Sequence, residues 1–531
     1  MRCAFCTANP PPPGERGHRI MGARANISQK TVQWIGFVAG PMLAVVMYSL
    51  LPDSYRTTAG DVVGFSPAGR ATCAVGLWMA VWWMTEALPI YVTSLLPLCA
   101  FPLCGAASIG KAASPYAHEL IFLFMGGFIL ALSMEKWGLH ERFAYGVLRL
   151  VGTNPRRVVL GFMVTTAFVS LWVSNTATAI MMLPIALSVI ELVAGRKEHR
   201  DAEAGGAGGG GHEDNFAICL LLGLAYAASI GGIGTLIGTP PNLFLASYIE
   251  NQLGRDVSFV RWMALGVPLV AVFLPATWFL LTRIIYPIRL GDIEGGAEFI
   301  RERARGLGPM KRGEWATVVV FGLAATAWIS QPLLGKVQVA GATPLGRLTD
   351  TGIAMIAAML LFAIPVDIKA RRFVMDWETA ARLPWGVLLL FGGGLSLAAA
   401  IDQNGVSEFI GSRVAGFGGL PPLALVAVVT AIVVFLTELT SNTATTATFV
   451  PILAAVAPGL GVSPFLLIVP AAIAASCGFM LPAGTPPNAL VFGSGHLRIG
   501  QMVKAGLWLD LVGVVLITFL CYLLVIPLLA G

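Results

Sequence analysis

The sequence predicts an all-α polytopic membrane protein, with about 11 transmembrane helices plus two re-entrant hairpins in an inverted repeat. Three observations carry that prediction. Of 531 residues, 56% are hydrophobic and 12% charged, against roughly 25% charged in an ordinary soluble domain. Apolar stretches able to cross roughly 30 Å of hydrocarbon recur from Trp34 to Leu529, without the alternating strands of an outer-membrane barrel. A set of polar, helix-breaking motifs also occurs twice in the same order.

Residues 1–31 form an expected flexible cytoplasmic tail. Pro10 to Pro13, several arginines and the lack of an apolar run before Val32 do not read as a cleaved signal peptide. Cys3 and Cys6 make a lone CxxC, and no second pair completes a zinc site. The first transmembrane half covers 32–286, with spans near 32–51, 71–90, 92–108, 119–137, 217–250 and 262–286 and a repeat unit from about 71 to 286. Residues 287–312, polar and rich in Arg and Gly, are a cytoplasmic linker too short for a regulatory domain. The second half covers 313–531, with spans near 315–332, 352–366, 385–401, 464–490 and 505–530.

Two further apolar stretches, 157–193 and 421–456, carry a polar Ser-Asn-Thr cluster about midway and are read as the hairpins. Charge supports this reading, because cytoplasmic loops concentrate Lys and Arg. With the N-terminus inside and the C-terminus outside, 26 of the 34 basic residues fall in inside segments. Making either hairpin a full crossing would put several basic loops on the wrong side. The net charge of +6 thus reflects orientation in a bacterial-type inner membrane rather than nucleic-acid binding. Gly205 to Gly211, among charged residues, reads as a flexible inside loop.

The duplication is explicit. Phe124-Met125-Gly126-Gly127 recurs as Phe391-Gly392-Gly393-Gly394, Ser174-Asn175-Thr176 as Ser441-Asn442-Thr443 and Pro184 as Pro451, all at an offset of 267. Downstream, Gly238-Thr239-Pro240-Pro241-Asn242 recurs as Gly484-Thr485-Pro486-Pro487-Asn488 at 246, the shortfall of 21 matching the Gly-rich insertion. The matched elements lie in the fourth and ninth crossings and in the fifth and tenth. An odd displacement makes the copies enter the membrane from opposite sides, as in secondary transporters.

Non-helical backbone at membrane depth survives only where protein or a watery cavity supplies partners. Ser, Asn and Thr turn their side chains to local backbone, and paired prolines remove amide donors and restrict the preceding residue. Each Gly-Thr-Pro-Pro-Asn should therefore leave an unwound joint inside a crossing. Freed carbonyls with Asn and Thr oxygens there suit sodium, a hard cation, while helix N-termini suit an anion. Neither motif carries Lys or Arg, so a bound dianion needs compensation from co-bound cations and dipoles. Glu438, whose counterpart is Leu171, is either functional or a brace for its hairpin; Glu86 reads as structural.

Together the paired Ser-Asn-Thr hairpins, FxGG helices and Gly-Thr-Pro-Pro-Asn joints resemble the divalent anion:sodium symporter family of the ion transporter superfamily, from about Ala71 to Leu529. The resemblance implies a homodimer of elevator-type carriers with co-transported sodium and no organic cofactor. It implies a first sodium site from Ser170, Ser174, Asn175 and backbone near Gly238, and a second from Ser441, Asn442 and backbone near Gly484. Substrate carboxylates would meet Asn175, Thr176, Thr239, Asn442, Thr443, Thr485 and Pro486. The expected function is sodium-coupled symport of small divalent anions, foremost the C4-dicarboxylates succinate, malate and fumarate. The alternatives are a sodium-independent dicarboxylate or citrate exchanger and a sodium-coupled sulfate or citrate transporter.

Other classes fit less well. Channel selectivity rings are usually built by several subunits around one axis, whereas here two copies share one chain. An enzyme is not expected, since no His cluster, nucleophile and base pair or phosphate loop accompanies the spans.

Overall fold

A computed structural model describes residues 13–57, 61–204, 210–293, 295–334, 343, 345–414 and 419–530. The CxxC, residues 1–12 of the expected tail and Gly205 to Gly209 of the Gly-rich loop lie outside them. The described residues are mostly helical and form no barrel, as composition predicts. Two short antiparallel ribbons, Ser54–Arg56 with Val62–Gly64 and Pro365–Asp367 with Arg372–Phe373, sit between helices.

Among the described residues nine helices are long and apolar enough to cross a membrane. Four shorter apolar helices, Ile90–Cys104, Asp350–Ala363, Pro422–Thr437 and Phe465–Ala474, accompany them. Some expected crossings are therefore shorter or broken. Near 92–108, Pro97 and Pro102 accompany a helix in pieces, Ile90–Thr93 and Leu96–Leu103, since proline removes a helical donor. Thr349 caps Asp350–Ala363 by accepting from the Gly352 amide, and the chain turns into a strand at Pro365.

Burial separates central from peripheral helices. The apolar stretch Asp214–Gly232 is 89% buried, whereas Lys30–Leu50, Arg312–Leu334 and Ile499–Leu529 are 17%, 22% and 28% buried and turn apolar faces outward. That is the pattern expected where lipid is the solvent. Between the helices, small residues let backbones approach, as in membrane bundles generally. A Cβ on Gly231 would collide with the Ala167 backbone, and one on Gly126 would lie 2.7 Å from the Ala354 carbonyl carbon.

The repeat has a physical counterpart in the packing. Phe124 and Phe391, equivalent at the offset of 267, stack on each other with ring centroids 4.8 Å apart and planes at 19°. Equivalent residues of two copies meet face to face only close to the axis relating those copies. Each FxGG glycine run then admits a neighbour from the first joint or the helix after it: Gly127 meets Ile237, and Gly394 meets Phe244 on Pro240–Leu253.

Candidate functional site

Both Ser-Asn-Thr clusters lie where one helix stops and another starts. Pro155–Ser170 ends, four residues pass, and Asn175–Ala204 begins; Pro422–Thr437 ends, four residues pass, and Asn442–Val456 begins. The Ser174 carbonyl accepts the Thr178 amide at 2.9 Å and the Ser441 carbonyl accepts the Thr445 amide at 2.8 Å, which opens each second helix. Asn and Thr thus occupy first-turn positions, whose amides have no partner inside the helix. Both first turns carry the positive end of a helix dipole.

The joints are unwound as expected. Helix Gly210–Gly232 stops before the first, and Pro240–Leu253 restarts after Thr239, extended at φ −144° and ψ 144°. Phe465–Ala474 stops before the second, and Pro486–Gly493 restarts after Thr485 at φ −142° and ψ 149°. In both cases proline takes the first helical position, where a missing donor costs nothing.

The asparagine that ends each joint motif splints it. Asn242 Nδ2 donates to the carbonyls of Gly232 at 2.9 Å and Thr235 at 2.7 Å. Asn488 Nδ2 donates to those of Gly478 and Leu481, both at 3.0 Å. Donors and acceptors correspond at the same offset of 246. Asn242 and Asn488 were not among the expected site residues; their binding of freed carbonyls is a contact that spacing alone does not show.

Hairpin tips and joints meet as oxygen clusters. Ser170 Oγ lies 2.8 Å from Asn175 Oδ1 and 2.6 Å from the Ala228 carbonyl. A hydroxyl has one proton, so it can satisfy only one of those oxygens. A Cβ on Gly232 would collide with Asn175 Oδ1 and lie 3.2 Å from the Gly238 carbonyl oxygen, so Gly238 joins the cluster. In the second copy Thr437 Oγ1 is 2.9 Å from both Asn442 Oδ1 and the Ala475 carbonyl. Thr437 was missed, although it lies 267 residues after Ser170 and the repeat itself was the signal.

Between the tips lies a cavity of about 800 Å³. Ser174, Asn175, Thr176 and Thr239 line it from the first copy; Ser441, Asn442, Thr443, Gly484, Thr485 and Pro486 line it from the second. Of the expected residues, Ser170 and Gly238 stand behind this lining, in the oxygen cluster. Thr485 Oγ1 also accepts the Asn488 amide at 3.3 Å, whereas Thr239 makes no such cap. The charged lining is Glu86, Glu135 and Arg382, so side-chain charge does not favour a dianion. Glu86, read from sequence as structural, adopts a left-handed turn at φ 48° after Pro67–Thr85 and borders the cavity.

Glu438 braces the second joint. Its carboxylate accepts amides from Phe479, from Met480 at 2.8 Å and from Leu481 at 2.9 Å. At the first joint, where Leu171 takes its place, the Thr235 hydroxyl donates to the Leu171 carbonyl instead.

The chain is also similar to known membrane transporters. The sequence pattern of the sodium:sulfate symporter transmembrane region matches residues 56–530. The sodium-dependent dicarboxylate transporter SdcS of Staphylococcus saprophyticus is 41% identical over 508 residues, covering 95% of this chain and 94% of that protein. SdcS of Staphylococcus aureus is 40% identical over 501 residues, covering 94% and 92%. Among solved structures, the Alcanivorax borkumensis YdaH transporter aligns with a TM-score of 0.58 at 13% identity, over 93% of this chain and 97% of that one. Neisseria gonorrhoeae MtrF aligns with 0.57 at 15% identity, over 95% and 99%. At those identities the structural likeness concerns the fold alone.

Proposed function

Because this chain belongs to the sodium:sulfate symporter transmembrane-region family, and so is a transporter rather than an enzyme, we propose that it carries small divalent anions, foremost the C4-dicarboxylates succinate, malate and fumarate, together with sodium ions. The relatives named as sodium-dependent dicarboxylate transporters support this reading. The observation that carries it is the cavity between two equivalent hairpin tips, where paired Asn and Thr residues and helix N-termini face one space with almost no basic side chain.

The chemistry follows from that lining. Each substrate carboxylate meets one helix N-terminus and the Asn and Thr of one tip, with Thr239 or Thr485 and Pro486 behind. Such donors bind an anion without a full positive charge. Sodium held by the oxygen clusters of Ser170, Ser174, Asn175 and Gly238, and of Ser441, Asn442 and Gly484, supplies the missing charge. It also pins the tips in the conformation that accepts substrate. An empty site then costs the unpaired oxygens their compensation, which links substrate binding to prior sodium binding.

Glu86, Glu135 and Arg382 border the cavity, and all three lie on the side assigned to the cytoplasm by charge. This supports an inward-facing state of an elevator-type carrier. The transport part holds both hairpins and both joints, and the remaining helices hold a second protomer in a bacterial inner membrane, with the N-terminus inside and the C-terminus outside. The test is uptake of labelled succinate into proteoliposomes under an inward sodium gradient, with potassium as control and unlabelled malate, citrate and sulfate as competitors. Accumulation that requires sodium is expected; uptake only against preloaded dianion would replace symport with exchange.

A further inference from the structure

Behind the second joint, away from the hairpin cavity, two carboxyl groups meet in the interior. Asp510, on helix Ile499–Val525, is fully buried, and neither of its oxygens has a hydrogen-bond donor of its own, the nearby Phe479 amide being donated to Glu438. It stands within hydrogen-bonding reach of Glu438. Gly506 makes this approach possible, because its missing side chain lets the helix touch the backbone of Phe479 and Met480, two of the amides that Glu438 accepts. The Tyr226 hydroxyl, on the central helix Gly210–Gly232, is also buried and without a partner. Its ring packs edge-on against Phe479, whose amide Glu438 accepts, with centroids 5.1 Å apart. Cys477, two residues before Phe479, is buried as well, with its thiol donating to the Ile473 carbonyl. None of the ion pairs among the described residues involves either carboxylate.

Three amides serve Glu438, and the one amide that also comes near Asp510, that of Phe479, is already donated to Glu438. A buried carboxylate without a donor or counter-ion is among the most costly arrangements in a protein interior, and a second carboxylate beside it adds repulsion. A cation between them removes both costs. The Asp510 oxygens, the remaining lone pairs of Glu438 and the Tyr226 oxygen make an all-oxygen set without a nitrogen or sulfur ligand, which favours a hard ion.

We propose that Asp510, Glu438 and Tyr226 form a further sodium site, separate from the two hairpin clusters, which ties the central helix of the first repeat and the last helix to the second joint. The site rests on the sodium-coupled reading above and deepens it. Through Glu438 the ion acts on the backbone of residues 479–481, three positions ahead of Gly484, so its occupancy sets the shape of the second joint. Each cycle then carries one more positive charge than two hairpin sites supply.

The test compares wild type and Asp510→Asn in proteoliposomes for labelled sodium moved per labelled succinate, with and without an imposed pH gradient. The expected result is one sodium fewer per succinate in Asp510→Asn, and wild-type uptake indifferent to the pH gradient. An unchanged ratio in the inserted variant would overturn the site. Wild-type uptake driven by the pH gradient, with that drive lost in Asp510→Asn, would also overturn it by making the bound cation a proton. If Asp510→Asn does not insert, Tyr226→Phe keeps both carboxylates and should weaken apparent sodium affinity by about tenfold; unchanged affinity there counts against the proposal. Absence of any sodium-driven uptake by wild type would instead reject the parent reading, before a variant is needed.

Discussion

Single side chains divide into those that face the cavity and those that hold it open. Asn175 and Asn442 do the first, and their carboxamide oxygens also belong to the clusters with Ser170 and Thr437. Asn175→Ala and Asn442→Ala are each expected to abolish sodium-driven uptake while leaving a folded, membrane-inserted protein, checked by transport beside gel filtration of the same sample. Normal uptake by either would remove the assigned sites. Asn242 and Asn488 do the second. Removing either side chain leaves two buried carbonyls unpaired, about 1–3 kcal/mol for each unsatisfied group. Asn488→Ala should therefore lower thermal stability as well as transport, whereas Asn442→Ala lowers transport alone. Outside the membrane, Asp376 ties Lys136 and also accepts the Thr379 amide. The Lys136 contact, then that amide, hold the Asp376 carboxyl down to about 2. A depressed carboxyl stabilises the folded state above its unfolded value and loses that contribution as pH falls through the folded one. The tie should thus be intact at neutral pH and disappear only toward about pH 2. Because Asp376 is 53% exposed, Asp376→Asn should cost below about 1 kcal/mol near neutrality, and a melt of the two proteins at neutral and acidic pH would show the difference vanish.

Among the elements, the broken helices explain how a polar site persists in an apolar environment. Each joint gives up helical hydrogen bonds and recovers part of them through its asparagine, to which the second joint adds the Thr485 cap and Glu438. The two copies solve the same backbone problem with different side chains, which is why Glu438 has an apolar counterpart without loss of the joint. Close packing of the surrounding helices depends on small residues. Gly126→Leu would drive a side chain into the backbone of Ala354, forcing Glu119–Lys136 away from Asp350–Ala363. Overpacking of this kind costs about 1–3 kcal/mol, so a lowered melting temperature is expected, with transport impaired in parallel. Gly322→Ala, where a Cβ meets nothing within 4 Å, is the control and should melt like wild type.

For the whole molecule, the Phe124–Phe391 stack and the matched hydrogen bonds at the two joints make the duplication a property of the packed structure as well as of the chain. A carrier built this way should show sodium dependence steeper than one ion per substrate, measurable as a sigmoidal rise of succinate uptake with sodium; a simple hyperbola would count against two coupled ion clusters. Much of this was legible from residue order. Hydrocarbon excludes unpaired backbone, so apolar length and repeated helix breakers were enough to mark where helices stop along the chain, and the structure brings Ser174-Asn175-Thr176 and Ser441-Asn442-Thr443 to one cavity. These signals are local in the sequence or periodic along it. Others were not legible, because they depend on which surfaces come into contact. The charged lining at Glu86 and Arg382 and the meeting of Asp510 with Glu438 join segments tens to hundreds of residues apart, and the splints of Asn242 and Asn488, though they reach back only 7–10 residues, exist only once the joint has folded back on its own helix. Pattern in a chain registers what each segment needs from its solvent; only packing decides which segment supplies it.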